Sequence, residues 1–313
     1  MEAKHIMKLI YEGVDIWPSV SVNACIHEMN ASGRSDTLVI RFNDTKGLWS
    51  KWNPVKGEKV ELIEGAARTG KMFVSGIEPE NGLFTLRAMS MPLSGENINN
   101  RSWESIGFLQ LGQDIAKRHG LDFAYYGVKD QIYPYLSQNG MTDFEFYLQR
   151  CQLEGCGMLI FDGKLIVYDE RYIEGLEPTA TLEIGEDGVF EYFDNSALSY
   201  GSAEVVSGKY KGTFTAPNGG NTSRVLRPRI PINCTSNAEA MRYAKNLLRA
   251  ANKDSYTGTI KKSLLLGYAA ASLINIKTAK ASTWDGPVFI TKARHDYIKG
   301  ETKLFFRKLL EGY

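Results

Sequence analysis

Short alternating segments, each closed off by turn residues, set the main constraint on this chain. In Leu38-Val39-Ile40-Arg41-Phe42 and Lys59-Val60-Glu61-Leu62, apolar and polar side chains alternate, which is the period of a strand with one face in a core. Asn30 to Gly33, Lys56-Gly57 and Asn81-Gly82 punctuate such segments. Asn-Gly is a strong hairpin signal because both residues tolerate positive φ. The pattern predicts strands at Met7–Tyr11, Val20–Glu28, Thr37–Phe42, Lys59–Ile63, Met72–Ile77 and Leu83–Ala88. Many short strands so punctuated indicate a barrel or sandwich over residues 1–94.

The character changes after Pro92. "LSGENINNRS" reads as a polar connector, followed by a helix from Ser102 to His119 with an apolar stripe of Ile106, Leu109, Ile115 and Ala116. Lys117, Arg118 and His119 suit its negative end, and Gly120 stops it. "MTDFEFYLQRCQLEG" is a second helix, opened by a Thr142/Glu145 capping box and ended by Gly155. Asp162-Gly163 then joins two apolar runs into a hairpin. Residues 95–170 thus form a small α/β module.

From Arg171 the pattern is mainly β again. Strands are expected at Thr181–Ile184, Val189–Phe193, Ser196–Tyr210, Gly258–Leu266, Ser272–Thr278, Pro287–His295 and Glu301–Arg307. One helix interrupts them, with Ser236 and Glu239 as a capping box and Ala240, Tyr243, Ala244, Leu247 and Ala251 as its buried stripe. Thr213 to Pro231, rich in Gly, Asn and Pro, is expected to be a long mobile loop. The fold class is therefore mainly β with an α+β insert: β domain 1–94, insert 95–170, β domain 171–313.

Length allows this, since 313 residues suffice for two or three domains. With 37 Lys+Arg against 36 Asp+Glu, no global field draws the chain to nucleic acid or an anionic membrane. The basic run Arg224, Arg227, Arg229 is short and local, so no nucleic-acid binding is expected. The longest apolar stretch, Leu264 to Ile274, is interrupted and far short of the roughly 20 residues a membrane span needs. The N-terminus shows no secretory signal. Cys25, Cys151, Cys156 and Cys234 lack metal-ligand spacing and read as reduced, buried thiols.

One motif suggests chemistry. In "EGAARTGKMF", Gly65, Gly70 and Lys71 match the first seven positions of a phosphate-binding loop. Met72 replaces the required Ser/Thr, and the next residues alternate as a strand where a helix must open. Gly65 and Gly70 are expected to bracket a hairpin tip instead. His5, His27, His119 and His295 belong to no metalloprotease motif. Carboxylate pairs such as Glu78 with Glu80 and Asp169 with Glu170 are common on solvated edges. Trp17, Trp49, Trp52 and Trp103 could form a carbohydrate platform but more simply anchor cores and interfaces. The sequence assigns no catalytic, cofactor-binding or metal-ligating residue.

Four stretches in order, "DTLVIRFNDTKGLWSKWNPVKGEKVELIEG", "TGKMFVSGIEPENGLFTLRAMSMP", "MTDFEFYLQRCQLEGCGMLIFDGKLIVYDE" and the set "NAEAMRYAKNLLRAANK", "GPVFITKARHDYI", "ETKLFFRK", resemble a family. It is the baseplate hub proteins of contractile phage tails and phage-tail-like bacteriocins, the late control gene D group, which also resembles the hub module of type VI secretion spike proteins. The resemblance implies a non-enzymatic homotrimer whose subunits each carry two tail-tube-like β-barrels. Six similar barrels would then meet a six-fold tail tube or tube-initiator protein on one side and a three-fold spike on the other, among other baseplate proteins. It implies assembly in the bacterial cytoplasm and a place in the virion or tail-like particle baseplate. No β-helix repeat or lysozyme-like domain follows Tyr313, so the spike is expected to be a separate polypeptide. A tail-associated cell-wall hydrolase and a carbohydrate-binding module remain the alternatives.

Overall fold

A computed structural model of the chain describes residues 7–185, 188–217, 221–278 and 282–313, apart from the side chains of Asn221 and Thr222. The first part holds β1 Met7–Tyr11, β2 Val14–Asp15, β3 Val22–Asn30, β4 Thr37–Asn43, the short helix α1 Leu48–Trp52, β5 Lys59–Glu64, β6 Ala67–Arg68, β7 Met72–Glu80 and β8 Leu83–Met89. The inward faces of these strands, among them Leu9, Leu38, Ile40, Leu62, Val74 and Leu86, close round one apolar core.

The insert holds β9 Ile98–Gly107, α2 Phe108–Arg118, β10 Asp122–Tyr126, β11 Ile132–Thr142, α3 Asp143–Glu154, β12 Cys156–Phe161 and β13 Lys164–Asp169, and α4 Glu170–Glu174 straddles its end. β10, β13 and β12 form a small sheet, and β9 with β11 forms a long antiparallel ribbon. The Thr142/Glu145 capping box is complete, and Gly155 ends α3 at φ 74°. The expected helix from Ser102 starts only at Phe108. Ser102–Gly107, and the end of the supposed connector from Ile98 on, are strand β9, while Leu93–Glu96 form a 3-10 turn. The pattern of β9 was illegible because the strand buries no residue on either face before Ile106, so no alternation is required.

The last part holds β14 Thr181–Ile184, β15 Val189–Asp194, β16 Tyr200–Ser207, β17 Tyr210–Thr215, β18 Asn221–Leu226, α5 Asn237–Asn252, β19 Tyr256–Ser263, β20 Leu273–Thr278, β21 Gly286–Asp296 and β22 Glu301–Lys308. The expected single strand Ser196–Tyr210 is a 3-10 turn, β16 and a hairpin into β17. Much of the expected loop Thr213–Pro231 is strand: β18 pairs parallel with β16. The centre of that loop, residues 218–220, lies outside the described residues, as does His5. The Ser236 hydroxyl caps α5, but Glu239 turns to Thr235 and Tyr243 rather than completing the box. The buried face of α5 runs through Ala240, Tyr243, Ala244 and Leu248, while Ala251 is exposed. Gly212 lets β17 touch that helix: a Cβ there would sit 2.2 Å from the Ala240 carbonyl carbon.

β1–β8 and the outer strands of the last part join in a single 14-stranded sheet. Its six long strands in the first part run β1-β5-β7-β8-β4-β3, and the six in the last part run β14-β20-β21-β22-β19-β15. Numbered by chain order within each part, both read first, fourth, fifth, sixth, third, second. Four of the five ladders agree in sense; β1·β5 is antiparallel whereas β14·β20 is parallel. The second set curls round its own core of Ile260, Ile276, Val288, Ile290, Leu304 and Phe306. The chain is thus mainly β, with two similarly wound units and a helix-bearing insert between them.

Candidate functional site

The correspondence extends to individual hydrogen bonds. β7 bulges between Val74 and Gly76, and β21 bulges between Ile290 and Lys292. The bulged residue is a hydroxyl residue in both, and it donates across to the sixth strand: Ser75 Oγ to the Arg87 carbonyl at 3.3 Å, Thr291 Oγ1 to the Phe305 carbonyl at 3.2 Å. The preceding residue exchanges backbone bonds with the chain leading into the fourth strand: Val74 with Gly57 and Glu58, Ile290 with Ala271 and Ser272. Bulges re-aim an edge and raise its twist, so both units present a similar kinked fifth strand.

In the second unit that strand carries the seam. The part of β21 beyond the bulge pairs antiparallel with β3, from Lys292 opposite Asn30 to Asp296 opposite Ile26. Ala31 N–H donates to the Thr291 carbonyl and Tyr297 N–H to the Cys25 carbonyl, each at 2.9 Å. Met29 packs into the second core and Tyr297 into the first. Glu28 takes ion pairs from Lys292 and, at 3.7 Å, from Arg294. His27 and His295 face each other at its middle. Burial, reinforced by the other ring, holds the His27 imidazole down at about 3, and burial holds His295 at about 4. Beside the seam, burial pushes the Asp36 carboxyl up to about 7, although it accepts the Asn30 N–H at 2.8 Å.

A buried ionic cluster ties the insert to the second unit. Arg249 of α5 and Arg307 of β22 share Glu174 of α4 at 2.6 and 2.5 Å, and Lys253 and Arg307 reach Glu170. Burial alone would raise the Glu170 carboxyl, but Lys253 and Arg307 hold it below its ordinary value. Such a cluster fixes three elements in one register, because any departure strands a buried charge.

The residues singled out by sequence separate cleanly. Gly65 and Gly70 bracket the β5–β6–β7 turns, and no helix follows Lys71. Gly70 has φ +67°, and a Cβ there would lie 2.9 Å from Asp162. The phosphate-loop glycine therefore lets the first unit dock on the Asp162-Gly163 hairpin tip, where Arg68 and the Lys71 N–H both reach Asp162. Trp49 is buried against Phe84 and Phe42, on helix α1; Trp52 is half exposed beside it. His119 contacts Asp143 at 3.1 Å, together with Arg118. Arg224 lies over Tyr200 and Arg227 pairs with Glu204. Cys25, Cys151, Cys156 and Cys234 are buried free thiols. Among the described residues no group of three or more His, Cys, Asp or Glu is placed to hold a metal, and no helix is long and apolar enough to cross a membrane. Sequence reasoning named the strands holding His27 and His295 but not their pairing, and it missed the β9·β11 ribbon and the ionic cluster. None of these has a signal within one short window.

No family model matches the chain, and no curated protein matches it in sequence. Solved structures do match along nearly its whole length. A tail protein from Neisseria meningitidis MC58 superimposes with a TM-score of 0.75 at 13% identity, covering 98% of this chain and 97% of that one. The 43 kDa tail protein of prophage MuSo2 from Shewanella oneidensis gives 0.71 at 11%, covering 97% of both. An E. coli component of the type VI secretion system, described as structurally similar to the T4 bacteriophage tail proteins gp27 and gp5, gives 0.64 at 14%, covering 98% of this chain and 78% of that one. The fold is that of phage tail proteins, and the type VI component shares it.

Proposed function

We propose that this protein is the structural baseplate hub of a contractile tail, a homotrimer that adapts the six-fold tail tube to a three-fold central spike. The observation that carries the reading is the repeated strand order, bulge and hydroxyl bridge within one chain. Three copies then offer six similar β units, so a ring can follow six-fold symmetry while its subunits obey three-fold symmetry. The units are residues 1–94 and 171–313, with 95–170 as the insert; β16–β18 and α5 leave the second unit and pack against Leu153 of the insert. Exposed Val14, Ile98, Ile132, Val189, Leu198 and Ile230 supply apolar surface of the kind interfaces cover.

Its partners are two further copies, the tube or a tube-initiator protein, a spike chain and neighbouring baseplate proteins. It works through surfaces and performs no catalysis. The particle, virion or tail-like bacteriocin, assembles in the bacterial cytoplasm. The test is the mass in solution, by light scattering, of the protein alone and mixed with its spike chain. Trimers, alone or on the spike, support the reading; a monomer under both conditions overturns it. Cell-wall hydrolysis on a zymogram, abolished by substituting a cleft carboxylate, would replace it with the hydrolase alternative.

A further inference from the structure

The seam between β3 and β21 joins the second strand of one unit to the fifth strand of the other. It is therefore head-to-tail, and each unit keeps one edge of the same kind in reserve. In the first unit, β5 covers β7 only at Met72 and Phe73, with Val74 bonded just beyond; past the Ser75 bulge no ladder on that edge occurs among the described residues. In the second unit, β15 pairs only with β19 among the described residues. These two edges correspond, strand for strand, to the two that meet in the seam.

We infer that β15 of one copy pairs antiparallel with the post-bulge edge of β7 of a second copy, repeating between subunits the join that β3 and β21 make within one. This rests on the trimeric hub reading and specifies its interface. The register follows from the repeat. Ser75 corresponds to Thr291 through the shared hydroxyl bridge, so Gly76, Ile77 and Glu78 correspond to Lys292, Ala293 and Arg294. Following the ladders β8·β4·β3 and β22·β19·β15, Met29, Glu28 and His27 correspond to Asp194, Phe193 and Tyr192. Ile77 then falls opposite Asp194, and Glu78 opposite Phe193.

The bonds at Thr291 and Tyr297 show that odd-numbered residues of β21 face β3 with their N–H and C=O groups. By correspondence Ser75, Ile77 and Pro79 face outward from β7. Ile77 can exchange both bonds with Asp194. Pro79 has a carbonyl but no N–H, so the join in trans lacks a donor that His295 supplies in cis. Glu80, falling opposite Glu191, is already paired with Arg41 at 2.5 Å. An unpaired edge invites addition of a strand, and half-exposed Phe193 and exposed Val189 lose water on the same contact.

Glu78 and Phe193 would form a non-hydrogen-bonded pair, whose close Cα atoms suit a disulfide. The test is the double variant Glu78→Cys/Phe193→Cys, oxidised with copper phenanthroline and run on non-reducing gels. Covalent dimers and trimers are expected, absent from either single variant and from the register-shifted Glu78→Cys/Val189→Cys. Trimers by light scattering without that cross-link, or with equal cross-linking from the shifted pair, overturn the interface while leaving the hub reading intact; a monomer at every concentration and with the spike chain overturns both. In the unmodified protein, amide exchange at Ile77 and Asp194 is expected to slow by at least about tenfold on trimer formation. Unchanged exchange there in a formed trimer equally overturns the inference.

Discussion

His27 and His295 lie directly opposite each other across β3 and β21, with ring centroids 6.4 Å apart and each ring at most 2% exposed. Among the described residues His27 Nε2 has no hydrogen-bond partner, while His295 Nδ1 meets Thr302 Oγ1 at 2.8 Å. The join between the two units is therefore built round a neutral imidazole pair.

That pair makes the seam sensitive to acid. Both imidazoles titrate at about 3 to 4 in the folded chain against about 6.5 when unfolded, so between these values the unfolded chain binds more protons. Their contribution is complete above about pH 6.5 and is lost as pH falls toward 4, by at most roughly 3 kcal/mol per ring. Urea midpoints should fall between pH 7 and pH 5. The double variant His27→Gln/His295→Gln should show a flatter profile, even if its neutral-pH stability is lower.

Asp36 acts in the opposite sense. Its folded carboxyl titrates near 7 against 3.8 unfolded, so its contribution is complete below about pH 4 and is lost as pH rises through 7. Asp36→Asn keeps an oxygen for the Asn30 N–H and removes the buried charge. At pH 8 it should raise stability by about 1–3 kcal/mol, with little effect at pH 4, measured by urea unfolding.

Removing one partner from the ionic cluster should be far more damaging than removing an exposed pair. Glu174→Gln leaves Arg249 and Arg307, each 1% exposed, short of their shared carboxylate. The expected loss is about 3–5 kcal/mol by chemical denaturation. Glu78→Gln at the exposed Arg87 pair should leave the denaturation midpoint almost unchanged.

The tryptophans separate core from surface. Trp49, 3% exposed and stacked on Phe84 with centroids 4.8 Å apart, should cost about 3–5 kcal/mol as Trp49→Ala. Trp52, 46% exposed, should stay within about 1 kcal/mol as Trp52→Ala. Glycan binding lost in Trp52→Ala with assembly intact would instead favour a carbohydrate-binding surface.

Several decisions that lie within a few residues were legible in the sequence, although the equally local Ser236/Glu239 box does not close. The Thr142/Glu145 box, the αL glycine at 155, and the turns at Asn81-Gly82 and Asp162-Gly163 stand where their local chemistry puts them. The alternation of β4 and β5 correctly assigned their buried faces. Strand β9 was illegible because it buries no residue on either face up to Ser105 and so shows no pattern, and α2 was started too early for the same reason. Only tertiary structure decided that β3 meets β21, that Ser75 and Thr291 occupy equivalent bulges, and that Gly70 serves a hairpin dock. Those choices depend on residues brought together from distant parts of the chain. Their stabilisation comes from long-range pairing and burial, which single-window periodicity does not encode.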